Sequence, residues 1–212
     1  MPLFESDRRK EEDRIREEKR LPPGQSLTLK FPVLHYGPVP PFKPSTWDFR
    51  VWGAVEEEKS WNWNEFLALP RTQIKMDIHC VTRWSKADTL WEGVSLKAMV
   101  AAGFFKIKPN VTHVMQHAEH GYTTNLPLDV ALQDNFLMAT HFEGEPLSPD
   151  HGYPLRGVIG HIPAQDDLES PYLWKGAKWL RSLEFMTADR LGFWEKAGYH
   201  NRADVWDEER FR

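Results

Sequence analysis

Cysteine is almost missing from this chain. Cys80 is the only one in 212 residues, so no intrachain disulfide can form and the core must be held by packing. Long apolar runs are missing too, and none reaches the roughly 18 residues of a membrane-crossing helix. The Arg8-Arg9 pair near the amino terminus has no apolar stretch behind it, so neither a secretory nor a twin-arginine signal is expected. There is no basic excess: 27 Lys and Arg stand against 31 Asp and Glu, a net charge of −4 without a basic stripe. That argues against nucleic acid as a partner. Internal repeats and low-complexity tracts are absent. These absences lead us to expect a cytoplasmic protein with no inserted membrane segment. It is long enough to bury roughly 70% of its unfolded surface.

The remaining composition is that of a loop-rich globular chain. Ten Trp, 16 Pro and 13 Gly point to a compact protein carrying β structure. Residues 1–20 hold seven acids and seven bases with almost nothing apolar. Pairs such as Glu12 and Arg16 sit at helical spacing, so residues 1–21 are expected to form a charged, solvated arm ahead of one domain at 22–212. Leu21-Pro22-Pro23-Gly24 ends the arm. Alternation predicts strands at 26–31, 47–55 and 73–81, then at 112–117, 122–126, 136–141, 155–162 and 179–185. Five prolines between Pro32 and Pro44 impose an extended loop. Residues 95–102 should form a short helix with Ser95 as N-cap and Gly103 as its stop. Residues 192–212 read as a terminal wrap. Strands, short helices and long Pro-containing loops without βα alternation give a mixed α+β class.

Cys80 ends a β-rich strand and precedes Thr82-Arg83-Trp84-Ser85. A cation three residues on could lower a thiol pKa and make a reactive or metal-binding thiolate. A free cysteine also serves as a small buried hydrophobe, and local composition does not separate the two uses. A cysteine-nucleophile hydrolase is a third use, which requires a histidine within hydrogen-bond reach of the thiol. His79 adjoins Cys80, but on a strand the two point to opposite faces. His117, Glu119 and His120 lie close together without a further ligand cluster at zinc spacing.

Four segments together resemble the sulfite oxidase superfamily. His79-Cys80-Val81-Thr82-Arg83-Trp84-Ser85 with Trp91-Glu92-Gly93-Val94-Ser95-Leu96 looks like its molybdenum-ligand segment. His35-Tyr36-Gly37-Pro38-Val39-Pro40 is similar to its first cofactor-contacting loop, and Asp150-His151-Gly152-Tyr153-Pro154-Leu155-Arg156 to its cofactor loop. Trp174-Lys175-Gly176-Ala177-Lys178-Trp179-Leu180 resembles its second basic cofactor segment. The segments keep the family's order over about residues 30–186, and compact bacterial members match best. The resemblance implies a sulfite oxidase-type molybdopterin-binding domain with mixed β-sheets, and molybdenum and molybdopterin as cofactors. It puts the metal thiolate on Cys80 and makes Arg83 the candidate for orienting substrate, although Arg83 pairing with an acid is as compatible with the sequence. His35, Tyr36, His117, His151, Arg156, Lys175, Gly176, Ala177 and Lys178 would contact the pterin and its phosphate, for which guanidinium and ammonium groups are suited donors.

The implied reaction is oxygen-atom transfer on a small substrate, with electrons exchanged with a separate carrier. Two departures bear on the substrate. Sulfite oxidases place an arginine just before the histidine of the first loop, where this chain has Val33 and Leu34. Thr140 stands where they place a tyrosine near the metal. A lost cation removes charge-assisted hydrogen bonds commonly worth ~1.5–3 kcal/mol each, which argues against sulfite as the main substrate. Reduction of S-oxides or N-oxides is the alternative, and a cofactor-binding protein without turnover is another.

Overall fold

The structure, a computed structural model, describes residues 3–165 and 167–212, with side chains from Asp7 onward. The first two residues of the expected arm lie outside the described residues. The chain runs through α1 (Leu3–Glu17), β1 (Ser26–Leu27), β2 (Asp48–Gly53), β3 (Lys59–Asn62), α2 (Trp63–Leu67), β4 (Thr72–His79) and β5 (Trp84–Val94). It continues through α3 (Leu96–Ala101), β6 (His113–Ala118), β7 (Thr123–Pro127), α4 (Leu128–Ala131), β8 (Phe136–Phe142), β9 (Glu145–Pro146), β10 (Arg156–Ile159), β11 (Leu180–Met186) and α5 (Phe193–Lys196).

Among the described residues these strands make two mixed sheets. One runs β1-β5-β8-β10 with β4 and β9 added, and the other β3-β2-β11-β6-β7. β1 pairs in parallel with β5, and β11 in parallel with β2, while the other ladders are antiparallel. The sheets share one core, in which Phe49, Val51, Leu183 and Phe185 of the second meet Val94, Phe136, Met138 and Ile159 of the first. A second cluster of Ile74, Met76, Ile78, Trp91, Leu137, Ala139 and Val158 covers the first sheet's other face. Successive side chains on a strand point to opposite faces. β8, buried on both faces, therefore reads as the unbroken apolar run Phe136-Leu137-Met138-Ala139. Burying each of the three larger side chains of this run, Phe136, Leu137 and Met138, stabilises by ~1.5–3 kcal/mol.

The structure corrects several expectations. The arm is helical and its charged side is exposed as expected, but one face is docked on the domain. Ile15, 1% exposed, packs with Leu21 and Leu27, and Arg20 reaches the buried carboxylate of Asp77 at 2.6 Å. A single isoleucine among the charges of residues 5–20 is too weak a signal for docking. β1 stops at Leu27 rather than at residue 31, because Phe31 turns to pack against Trp84, Trp91 and Phe142 ahead of the proline loop. β5, the longest strand, was not expected as one. Its Lys86, Ala87 and Asp88 interrupt the alternation at a bulge, where Asp88 adopts a left-handed φ of 56°. The predicted short helix is α3, with the Ser95 hydroxyl accepting from the Ala98 N–H at 3.2 Å.

Candidate active site

β4 delivers Cys80 to a tight reversal into β5. The Cys80 N–H donates to the Trp84 carbonyl at 2.8 Å, and the Arg83 N–H donates back to the Cys80 carbonyl at 3.0 Å. Arg83 takes a left-handed φ of 73° at this turn. His79 points into the interior, where Nδ1 meets the Ser85 hydroxyl at 2.8 Å. Burial, aided by the nearby His161, keeps its imidazole neutral and pushes its pKa down to about 3. The thiol of Cys80 opens instead on a cavity, with Sγ 3.1 Å from the Thr82 hydroxyl. The thiol's hydrogen-bond partner is thus a threonine rather than a histidine, and His79 does not line the cavity.

The cavity measures about 400 Å³. That is the size of a site for a small molecule or cofactor. Its walls are rich in aromatic rings, among them Phe31, Trp84, Tyr122, Trp174, Trp179, Trp194 and Tyr199. Segments distant in the chain converge here. The proline loop brings Leu34, His35 and Tyr36, the turn brings Cys80 and Thr82, β10 opens with Arg156, and the segment before β11 brings Gly176 and Lys178.

One wall is cationic. Arg156 is 1% exposed, donates to the carbonyls of His151 and Gly157 at 3.1 Å each, and lies 5.5 Å over the Trp91 ring. No carboxylate among the described residues pairs with it, and burial lowers its pKa to about 10. Lys178 donates to the Asp150 carbonyl at 2.7 Å. Burial, with the neighbouring Arg156, brings its pKa down to about 7. His151 stacks on Phe31 at 3.9 Å, and its Nδ1 is buried without a partner, as is the Trp174 indole nitrogen. Burial and the charges of Lys178 and Arg156 hold the His151 imidazole down at about 4. Gly176 is required by close approach, since a Cβ there would stand 2.4 Å from the Gly157 carbonyl oxygen. Gln116, fully buried, fixes this segment by donating to the Lys175 carbonyl at 2.5 Å and accepting from the Ala177 N–H at 3.0 Å.

The structure therefore brings His35, Tyr36, Cys80, Arg156, Gly176 and Lys178 to one cavity, with His151 behind Phe31 and Ala177 buried in the backbone frame. Three expected residues go elsewhere. Lys175 turns inward, where its ammonium meets Glu195 at 2.8 Å, Asn125 at 2.9 Å and the Asn201 carbonyl at 2.8 Å, leaving no donor for a phosphate. His117 faces Glu184 at 2.8 Å beside Trp52 on the second sheet. Arg83 is exposed on the turn and does not line the cavity. Thr140 is also away from the cavity, its hydroxyl engaged by the Arg71 guanidinium and by His141. Sequence reasoning missed Tyr122, Trp174, Trp194 and Tyr199 by treating aromatic residues as packing. Trp194 and Tyr199 come from the terminal wrap, beyond the segments with motif character.

Among the described residues no three His, Cys, Asp or Glu side chains gather to hold a metal ion. A metal at Cys80 would draw its other ligands from a non-protein group. The unpaired guanidinium, the unpartnered indole nitrogen of Trp174 and the tight glycine approach fit a flat, anion-tailed cofactor.

Comparison with known proteins agrees. The family model described as "Oxidoreductase molybdopterin binding domain" matches residues 36–194. The chain is 45% identical over 193 residues to the "Uncharacterized oxidoreductase YuiH" of Bacillus subtilis (strain 168), covering 91% of this chain and 92% of that protein. It is 26% identical over 157 residues to an inducible NADH nitrate reductase of Glycine max, of which it spans only 18%. The crystal structure of the sulfane dehydrogenase SoxCD from Paracoccus pantotrophus superposes with a TM-score of 0.61 at 18% identity, over 74% of this chain and 42% of that one. At that identity the likeness is one of fold. The matched span contains Cys80, Arg156, Gly176 and Lys178, and the chain belongs to the oxidoreductase molybdopterin-binding domain family, with a sulfite oxidase-type fold and a molybdenum-molybdopterin cofactor.

Proposed function

We propose that this chain catalyses oxygen-atom transfer with a small substrate and that Cys80 is the protein's ligand to molybdenum. The observation that carries the reading is the juxtaposition of a thiol and an unpaired, buried guanidinium on one cavity. A buried charge without a counter-charge costs several kcal/mol, so its retention makes sense where a bound anion compensates it. The cofactor ends in a phosphate, and Arg156 and Lys178 supply the cationic donors. When bound, the group supplies two-electron exchange of an oxygen atom with the substrate.

The chain's own residues do the rest. Cys80 offers a soft sulfur donor, and the Thr82 hydroxyl 3.1 Å away tunes that sulfur's basicity by hydrogen bonding. Trp174 lines the cavity with its indole nitrogen unpartnered, and the surrounding aromatic walls help to exclude water. Leu34, 63% exposed, lines the cavity where the sulfite oxidases carry an arginine next to the loop histidine. An anion arriving there meets an apolar side chain, which favours S-oxides or N-oxides over sulfite. Electrons pass to or from a separate carrier. No helix among the described residues is long and apolar enough to cross a membrane. A cytoplasmic setting, where a lone thiol stays reduced, belongs to the same reading.

Metal analysis of protein from a molybdenum-replete, cofactor-making host tests the assignment, with Cys80→Ser as the comparison. We expect about one molybdenum per chain and an altered metal spectrum in the variant. Wild-type protein without molybdenum or pterin fluorescence after denaturation, despite proven cofactor supply, overturns the reading. Turnover of S- and N-oxides with a reduced dye, set against sulfite with an oxidising acceptor, decides the direction.

A further inference from the structure

The turn that carries Cys80 is held from both ends of the chain, by residues outside the span that matches the family. Gln25 follows the docked arm and is 4% exposed. Its amide donates to the Cys80 carbonyl at 3.1 Å, and its oxygen accepts from the Ser85 hydroxyl at 3.4 Å. Arg210, third from the end of the sequence and 8% exposed, donates to the Val81 carbonyl at 2.6 Å while its guanidinium lies 5.5 Å over the Tyr172 ring. The two ends also touch one another. A Cβ on Gly24, which has φ +67°, would stand 2.6 Å from a carboxylate oxygen of Glu208 and 3.4 Å from the Arg210 guanidinium. Both anchors are themselves anchored. The arm is fixed by the Arg20–Asp77 ion pair, and the tail by the Tyr172 N–H donating to Ala203 at 2.9 Å and the Val205 N–H donating to Ser170 at 3.1 Å.

We propose that Gln25 and Arg210 are positioning residues for Cys80, a clasp built from the two chain ends that fixes the two successive carbonyls, of Cys80 and Val81, directly after the thiol-bearing Cα and so aims Sγ into the cavity. Apart from the Arg83 N–H that closes the turn, the hydrogen bonds at these two carbonyls come from distant side chains, so the thiol's direction depends on the chain ends. The inference rests on the assignment of Cys80 as metal ligand, although the clasp can be measured without the metal.

The test uses the full chain in two forms. In cofactor-free protein the alkylation rate of Cys80 by iodoacetamide at fixed pH reports how firmly the thiol is held. Gln25→Leu and Arg210→Leu should each raise that rate about five- to tenfold, the factor expected for one lost hydrogen bond. Gln25→Glu keeps the shape but loses the donor and should behave like the leucine variant. Arg210→Lys keeps a donor toward Val81 and should restore most of the protection. In the cofactor-loaded protein the same leucine variants should shift the molybdenum paramagnetic resonance signal, which a merely structural role would leave in place. Rates within twofold of wild type in Gln25→Glu and Arg210→Leu, with an unmoved signal, overturn the clasp. An unchanged metal signal in Cys80→Ser instead sinks the ligand assignment, leaving the alkylation result to stand alone.

Discussion

Arg20 and Arg156 are both nearly buried, at 7% and 1% exposure, yet their surroundings differ in kind. Arg20, which follows α1, meets Asp77 through two nitrogens at 2.9 and 2.6 Å. Burial pulls its pKa down, but hydrogen bonds to Asp77 and Glu18 prevail and the pKa ends above its ordinary value. Arg156 has only two carbonyls and an aromatic face, and burial leaves its pKa lowered. The first arrangement is complete within the chain and fastens one segment to another. The second is incomplete and waits for charge from outside. Lys175 and Lys178 repeat the contrast three residues apart, one closed on Glu195 and the other facing the cavity. A buried cation therefore indicates a binding site only when its counter-charge is missing.

The contrast can be broken most directly at the closed pairs. Lys175→Met and Arg20→Met each strand a buried carboxylate, and each should lower the unfolding free energy by ~3–5 kcal/mol in urea titrations. Next comes Arg156→Met. Removing a charge that has no partner should leave the cofactor-free protein as stable or more so, while cofactor retention after gel filtration falls at least about tenfold. If Arg20→Met and Arg156→Met destabilise the cofactor-free protein equally, the distinction is wrong.

A pH series sharpens the comparison. His151 titrates at about 4 in the fold against 6.5 ordinarily, and Lys178 at about 7 against 10.5. Within each interval the unfolded chain binds the extra proton, so stability rises with pH from 4 to 6.5 and again from 7 to 10.5. His151→Gln and Lys178→Met should flatten the respective rises in the urea midpoint of cofactor-free protein. Anion affinity should run the other way, weakening as pH passes 7 and Lys178 loses its charge. The smallest effect belongs to the exposed contact of Asp207 with Arg202 at 2.7 Å, where Asp207→Ala should change stability by no more than about 1 kcal/mol.

Much of the fold was legible because its signals are local. Eight strands and α3 followed from alternation and from a Ser95 cap whose hydrogen bond forms within the same turn. β5 was not legible, because its bulge at Asp88 is set by Asp77 across the ladder, which accepts the Asp88 N–H at 2.8 Å. Nor was the docking of α1, which depends on where Asp77 lies. At the site, the motif around Cys80 pointed to the cavity, whereas the motif around Gly176 combined a cavity residue, Lys178, with an interior one, Lys175. Their sequence contexts are nearly alike, and Glu195 separates them from a distance of twenty residues.

The sequence by itself determined the class of chain: one thiol at a strand end, glycines and cations in an ordered set of loops, and apolar alternation sufficient for two sheets. Backbone preferences and side-chain period act over a few residues, and those can be read along a line. Only the tertiary structure decided which cations were already neutralised, which aromatic rings walled the cavity, and that Gln25 and Arg210 meet the two carbonyls beside Cys80. Those outcomes depend on charges and carbonyls brought together from distant parts of the chain, and electrostatic energy is set by separation in space.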